Sequence, residues 1–218
     1  MRTEFDNELK KLTVDLTKMA NLVETAIVNM SDAFKHQDKA LANEIIDNDH
    51  LINDMERTIE SRAFSLILRQ QPIASDLRKV TSAIEIVSDL ERIGDQASDI
   101  ADIVLNMEGE YSYRTLEHIP LIASKSKQMV GLAVEAFVDN DLAKASEVKK
   151  MDDDVDQLFT EVKNEVVEIL KEDSNNVDSC IDFLMIAKHL EKVGDHVVNI
   201  CDWIEFNETG KVEDRRLI

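Results

Sequence analysis

Carboxylate side chains recur every four residues in two stretches of the sequence, a spacing of about one helical turn. In the first stretch, Glu91, Asp95 and Asp99 fall on one face of a helix, with Asp102 beside them. Like charges at this spacing destabilise a helix slightly, and no lysine is interleaved to offset them. Hard oxygen ligands one turn apart suit a divalent or trivalent cation, so we expect a metal site. The matching residues in the second stretch are Glu191, Asp195, Asn199 and Asp202.

A single helix cannot enclose a metal ion, so further oxygen ligands must come from a neighbouring helix. The preceding helical segment of each half supplies a pair four residues apart, Asp49 with Asn53 and Asp152 with Asp156. Because the amide of Asn53 carries no charge, the sequence predicts two unequal sites, with the tighter one in the carboxy-terminal half unless Asp99 compensates for Asn199. The alternative interpretation is that all these side chains form an ordinary solvated helix face.

The segments that must position these carboxylates have the pattern of long helices. The chain holds only 5 glycines and 2 prolines in 218 residues, too few for a β-sandwich or a βαβ protein. Apolar residues alternate at spacings of four and three along the segment from Ile86 to Val104 and again from Ile186 to Ile204. The predicted helices cover approximately residues 4–33, 38–69, 76–107, 120–138, 141–171 and 177–206.

The two halves of the chain are an internal repeat. Asp38 recurs as Asp141, and residues 90–95 recur as residues 190–195, including a mid-helix glycine in each copy. The fold class is therefore predicted to be all-α, with two tandem three-helix bundles. The first repeat spans residues 1–109 and the second 110–218, with a polar linker at 109–115. Glycine costs about 1 kcal/mol relative to alanine inside a helix, so Gly94 and Gly194 predict a close approach of another element.

The charge balance restricts the partners. With 25 basic and 45 acidic residues, the formal net charge is −20, which opposes direct binding to nucleic acid. Hydrophobic residues make up 44% of the chain, enough for a core. No segment approaches the roughly 20 apolar residues of a membrane-spanning helix, and the amino terminus lacks a signal-peptide core. We expect a soluble, cytoplasmic protein, peripheral to a membrane at most, with reduced thiols at Cys180 and Cys201.

Two longer motifs resemble one known family. Residues 69–78, which read RQQPIASDLR, followed by DLERIGD at 89–95, resemble the PhoU family of phosphate-uptake regulators. The segment HLEKVGDH at 189–196 resembles the second copy of the family motif. The likeness covers nearly the whole chain, from Phe5 to about Ile204.

The resemblance implies a function and a set of ligands. Members of this family are tandem three-helix bundles, often homodimers, that bind metal ions such as iron, zinc, manganese or magnesium. They act as cytoplasmic negative regulators that link the ATPase of a phosphate ABC transporter to a phosphate-sensing histidine kinase. The Pro72 turn, present only in the first half, is a candidate contact with such a partner. By motif position, the implied metal ligands are Asp49, Glu91, Asp95, Asp99, Asp152, Asp156, Glu191, Asp195 and Asn199.

Two other classes of protein compete with a regulator. A magnesium-dependent, all-helical nucleotide pyrophosphatase also clusters acidic residues, but usually at E-x-x-E and E-x-x-D spacing rather than at the four-residue spacing found here. A purely structural helical adaptor would bind no metal. The chain has no E-x-x-H pair of the di-iron type and no phosphate-cradling glycine loop, and its five histidines are scattered. We therefore predict that the protein is not an enzyme.

Overall fold

A computed structural model describes residues 2–108 and 118–211 of the protein. Within these residues the structure is helical throughout, without a β-strand, which confirms the predicted fold class. One turn of 3-10 helix, Ser174–Asn176, precedes the last helix. The predicted linker at 109–115 and the predicted boundary between the repeats lie outside the described residues. The helices are α1 Arg2–His36, α2 Lys39–Gln70, α3 Ser75–Asn106, α4 His118–Asp139, α5 Leu142–Glu172 and α6 Val177–Thr209.

The connection between the first two helices of each repeat is built in the same way. Asp38 caps α2, because its Oδ1 accepts hydrogen bonds of 3.0 Å from the backbone N–H groups of residues 40 and 41. Asp141 caps α5 similarly, with a 3.0 Å bond from the N–H of Lys144. The residues before these caps, Gln37 and Asn140, adopt left-handed backbone conformations with φ of 50° and 53°. The repeat is thus preserved in its turns as well as in its helices.

Buried side chains occupy equivalent positions in the two repeats. Ile52 of α2 and Val155 of α5 are both buried, as are Ile86 of α3 and Ile186 of α6. The predicted apolar seam of α3 is buried along its whole length, as expected for the core face of an amphipathic helix. No helix in the described part of the chain has the long, weakly charged apolar stretch that crossing a membrane requires.

The centre of the molecule is the antiparallel packing of α3 against α6. Arg78, near the start of α3, donates a 3.1 Å hydrogen bond from Nε to the carbonyl oxygen of Asn207, near the end of α6. Further along, Asp89 lies beside His196. The helices α1 and α4 also pack against each other, whereas α2 and α5 pack mainly within their own bundles. The inner layer therefore joins the two repeats, and α2 and α5 lie on the outside.

Candidate functional site

Each mid-helix glycine lies where an outer helix comes closest to the inner layer. A Cβ added at Gly94 would lie 2.8 Å from Cδ1 of Ile52 in α2. A Cβ added at Gly194 would collide with Oδ1 of Asp152 in α5 and lie 3.5 Å from Cγ1 of Val155. The close approach predicted from the two glycines is confirmed, and at Gly194 it places a carboxylate directly against α6.

The first repeat gathers carboxylates between α2 and α3. Burial, followed by repulsion from Asp95, Glu56 and Asp49, raises the pKa of Glu91 from 4.5 to about 7. Burial also raises the pKa of Asp95, with further contributions from Asp49 and Asp99. We call Asp49, Glu91 and Asp95 the first acidic cluster. Glu56, which the sequence analysis did not select, lies beside it.

Two oxygen atoms in this region are buried without a hydrogen-bond partner among the described residues. Asn53 donates a hydrogen bond of 2.9 Å from Nδ2 to Oδ2 of Asp49. The Oδ1 atoms of both side chains have no donor. Such orphaned acceptors are costly unless water or an ion satisfies them, so they fit the hard oxygen donor set expected for a cation.

The second repeat forms a matching cluster between α5 and α6. Burial raises the pKa of Asp152 from 3.8 to about 6, with further contributions from Asp156, Asp195 and Glu191. We call these four residues the second acidic cluster. Four carboxylates close enough to repel one another form an arrangement that a cation would stabilise.

Lysines already occupy part of the second acidic cluster. Nζ of Lys188 lies 2.5 Å from a carboxylate oxygen of Glu191. Nζ of Lys192 lies 2.5 Å from Asp195 and 3.9 Å from Glu191. In the described part of the chain, no lysine or arginine forms a salt bridge with a member of the first acidic cluster. A cation entering the second cluster must therefore compete with two ammonium groups.

Two of the expected ligands lie at the boundary between the bundles. Oδ2 of Asp99 is 3.7 Å from Nδ1 of His189 in α6. Nδ2 of Asn199 is 3.5 Å from Oδ1 of Asp89 in α3. Both residues are exposed, whereas Glu91 and Glu191 are partly buried. The structure thus brings seven of the nine predicted ligands into the two clusters and places these two at their edges.

In neither acidic cluster do the carboxylates already surround a common metal position. Among residues 2–108 and 118–211, no three His, Cys, Asp or Glu side chains already have metal-binding geometry. Bound metal would require the carboxylates to rotate toward a common point, which side chains that reach the surface can do by changing rotamer. The predicted ligand set stays a prediction.

Two histidines pair with polar side chains across the central layer, which the sequence pattern did not indicate. His196 contacts Asp89, and His189 contacts Gln96, with Nδ1 2.9 Å from Oε1. The repeat offset of α3 and α6 aligns Asp89 with His189 and Gln96 with His196. The two contacts are therefore equivalent by the internal symmetry, so the repeat could have indicated this pairing.

A comparison with models of protein families identifies the family of this chain. The family model described as the PhoU domain matches residues 16–104 and again residues 119–204. The chain belongs to the PhoU family. The two matches correspond to the two helical repeats and each includes the candidate ligands of its half.

Whole-chain relatives of the PhoU family agree with this assignment. A phosphate-specific transport system accessory protein PhoU homolog of Clostridium acetobutylicum is 38% identical over 214 residues, 98% of each chain. A homolog of the same description from Rhizobium meliloti is 33% identical and spans 94% of this chain and 87% of its own.

Solved structures of PhoU proteins have the same fold. PhoU from Pseudomonas aeruginosa aligns with a TM-score of 0.88 at 33% identity, covering 95% of this chain and all of that one. The phosphate transport system regulatory protein PhoU from Streptococcus pneumoniae aligns with a TM-score of 0.89 at 30% identity, covering 97% and 100%. PhoU proteins are regulatory accessory proteins, so the prediction that the chain is not an enzyme is confirmed and the pyrophosphatase alternative is wrong.

Proposed function

We propose that the protein is a cytoplasmic negative regulator of phosphate uptake and of phosphate-starvation signalling. It acts by contacts with the ATPase of a phosphate ABC transporter and with a phosphate-sensing histidine kinase. The observation that carries this proposal is the match of both repeats to the PhoU domain, together with whole-chain relatives that are accessory proteins of a phosphate transport system.

We further propose that the contacts depend on divalent or trivalent metal ions. The first acidic cluster would hold its ion through Asp49, Glu91 and Asp95, and the second through Asp152, Asp156, Glu191 and Asp195. Support comes from the raised pKa values of Glu91 and Asp152, which arise from burial and from repulsion by the neighbouring carboxylates. An ion would draw α2 toward α3 and α5 toward α6 and would change the charge of these surfaces.

The proposed regulator is a homodimer. It carries a net charge of −20 and must bring its acidic clusters near partner proteins. Ions in the clusters would lower the local repulsion, which acts over a Debye length of about 8 Å at physiological salt. Docking to partner proteins would thus depend on whether metal ions are bound.

Metal analysis of protein purified without chelators tests the ion-binding part. We expect Asp49→Ala/Asp95→Ala and Asp152→Ala/Asp195→Ala each to lose metal from one repeat while keeping wild-type helicity by circular dichroism. Asp47→Ala/Asp54→Ala is the matched control, since both residues are exposed on α2 outside the cluster. Equal metal content in all three variants would contradict the assignment.

A reporter of the phosphate-starvation response tests regulation in cells. At matched protein levels in phosphate-rich medium, cells with either cluster variant should express the reporter, and cells with the control should not. Co-purification of the transporter ATPase and the kinase with wild-type protein checks the contacts directly. Loss of repression without loss of either contact would separate the ions from docking.

A further inference from the structure

The end of α2 exposes apolar side chains that no other described residue covers. Phe64 and Leu68 at the end of α2 are 53% and 77% exposed, and Ile73 in the following turn is 78% exposed. Arg69 lies among them, close enough to Glu8 to help lower the pKa of that carboxyl, but it forms no salt bridge within the described residues. We call Phe64, Leu68, Arg69 and Ile73 the α2 end face. Exposed apolar residues grouped around a cation that forms no salt bridge are typical of an interaction surface.

The second repeat shows that this face is not a general property of the fold. The positions of α5 equivalent to Phe64, Leu68 and Arg69 hold one apolar residue, a lysine and a glutamate. The fold therefore does not need the α2 end face for its own stability, because the same helix exists without it in α5. The equivalent residues of α5 are Val167, Lys171 and Glu172.

The start of α6 exposes a second apolar stripe with the opposite charge beside it. Val177, Ile181 and Met185 follow one another at four-residue spacing and are all exposed, Ile181 by 52%. Asp178 and Asp182 flank the stripe and form no salt bridge with any described residue. Burial and repulsion from Asp178 raise the pKa of Asp182, so this pair lacks a compensating cation. We call these five residues the α6 start face.

The two faces cannot meet within one chain. Because α3 and α6 are antiparallel, the start of α3 lies beside the end of α6, as the Arg78–Asn207 hydrogen bond shows. The α2 end face adjoins the start of α3, so it lies at the opposite end of the central layer from the α6 start face. We propose that the α2 end face of one chain packs against the α6 start face of a second copy.

Complementary chemistry supports this choice of partner. Each face has three exposed apolar side chains, and Arg69 on one face matches the aspartates on the other. Three side chains are too few for the roughly 1,200 Å² that a stable interface buries. A two-fold axis would form the contact twice and double the area, which is why we expect a closed dimer rather than a chain of copies. The inference rests on the homodimer of the proposed function and specifies its interface.

Sedimentation velocity of the full-length protein over a concentration series tests this interface. Leu68→Glu and Met185→Glu should each weaken the dimer by at least about tenfold, since each substitution acts twice in a two-fold dimer. Leu121→Glu is the matched control, because Leu121 in α4 is 52% exposed and lies outside both faces. Its dimer should be unchanged.

Exchanging the charges of the two faces distinguishes loss of the interface from loss of folding. Arg69→Glu and Asp178→Lys should each weaken the dimer, and the combined variant should restore it to within about threefold of wild type, at an unchanged net charge. A stable dimer that none of these variants weakens, or a combined variant no better than the single ones, would overturn the interface but leave the homodimer. Wild-type protein that remains monomeric at every concentration would overturn both.

Discussion

Nδ1 of His196 lies 3.0 Å from Oδ1 of Asp89, across the boundary between the two repeats. Asp89 is only 4% exposed, and its Oδ1 also lies 3.7 Å from Nη1 of Arg92. The equivalent contact joins His189 to Gln96, so the histidine pairs with a carboxylate in one contact and with an amide in the other. The central layer thus contains two polar contacts that fix how α3 and α6 align.

Removing the buried carboxylate should destabilise the joined repeats more than removing the amide. We expect Asp89→Ala to lower the free energy of unfolding by about 2 kcal/mol, because His196 loses a buried acceptor. Gln96→Ala should cost about 1 kcal/mol. His196→Gln should be close to wild type, since glutamine already serves this purpose at position 96. Urea unfolding measures all three, and equal losses for the two alanine variants would refute the distinction.

The acidic clusters should make the metal-free protein less stable as the pH rises. In the folded chain the pKa of Glu91 is raised from 4.5 to about 7 and that of Asp152 from 3.8 to about 6. The folded state therefore binds more protons than the unfolded state in this range, and the free energy of unfolding falls between about pH 4 and pH 7. Because both groups are partly exposed, solvent reduces the size of the effect.

Thermal unfolding in the presence of a chelator measures this dependence. Glu91→Gln/Asp152→Asn should flatten the decline of Tm with pH, and Asp47→Asn/Asp54→Asn should leave it as in wild type. Added metal should reverse the trend, because ions bind the deprotonated carboxylates and stabilise the fold more as the pH rises. A metal-free Tm that increases across the same range would contradict the repulsive clusters.

The helix glycines should respond to alanine in different ways. At Gly194 the new methyl group would displace the carboxylate of Asp152, so Gly194→Ala should lower metal binding by the second repeat. At Gly131 in α4 a Cβ would lie 3.2 Å from Oε1 of Glu24, the end of a flexible side chain. Gly131→Ala should therefore stabilise the protein by up to about 1 kcal/mol through helix propensity alone. Isothermal titration with Mn²⁺ and thermal unfolding distinguish the two variants.

Two lysines should weaken the ion affinity of the second acidic cluster. Lys188 and Lys192 pair with Glu191 and Asp195, and a metal ion must displace them. Lys188→Met/Lys192→Met should bind Mn²⁺ several-fold more tightly than wild type, measured by isothermal titration. Lys163→Met/Lys171→Met is the control, because these lysines of α5 form no salt bridge with the cluster. Unchanged affinity would show that the ammonium groups do not compete.

The sequence was sufficient for the fold because its signals were local and repeated. The periodic apolar seams and the recurrence of Asp38 as Asp141 involve single helices or turns, and the helices follow the predicted bounds to within a few residues. The two glycines indicated where the outer helices come close. These features need no knowledge of distant contacts.

Contacts between remote segments were not predictable in the same way. Arg78 ends the motif around the Pro72 turn, and the sequence gives no sign that its Nε donates a hydrogen bond to the carbonyl oxygen of Asn207 at the end of α6. Lys188 was not recognised at the second acidic cluster, because a lysine three residues before Glu191 has several possible directions. A side chain's partner in another helix depends on how the helices align, which the repeat alone does not specify.

The position of α2 and α5 outside the central layer has a consequence for local opening. Each outer helix can detach from its own bundle without separating α3 from α6, since its main contacts do not cross between the repeats. The amide protons of α2 and α5 should therefore exchange with deuterium before those of α3 and α6. An ion bridging an outer helix to its neighbour would slow this exchange in one repeat independently of the other. Ion binding at each cluster would then produce its own change in the protection of backbone amides from exchange.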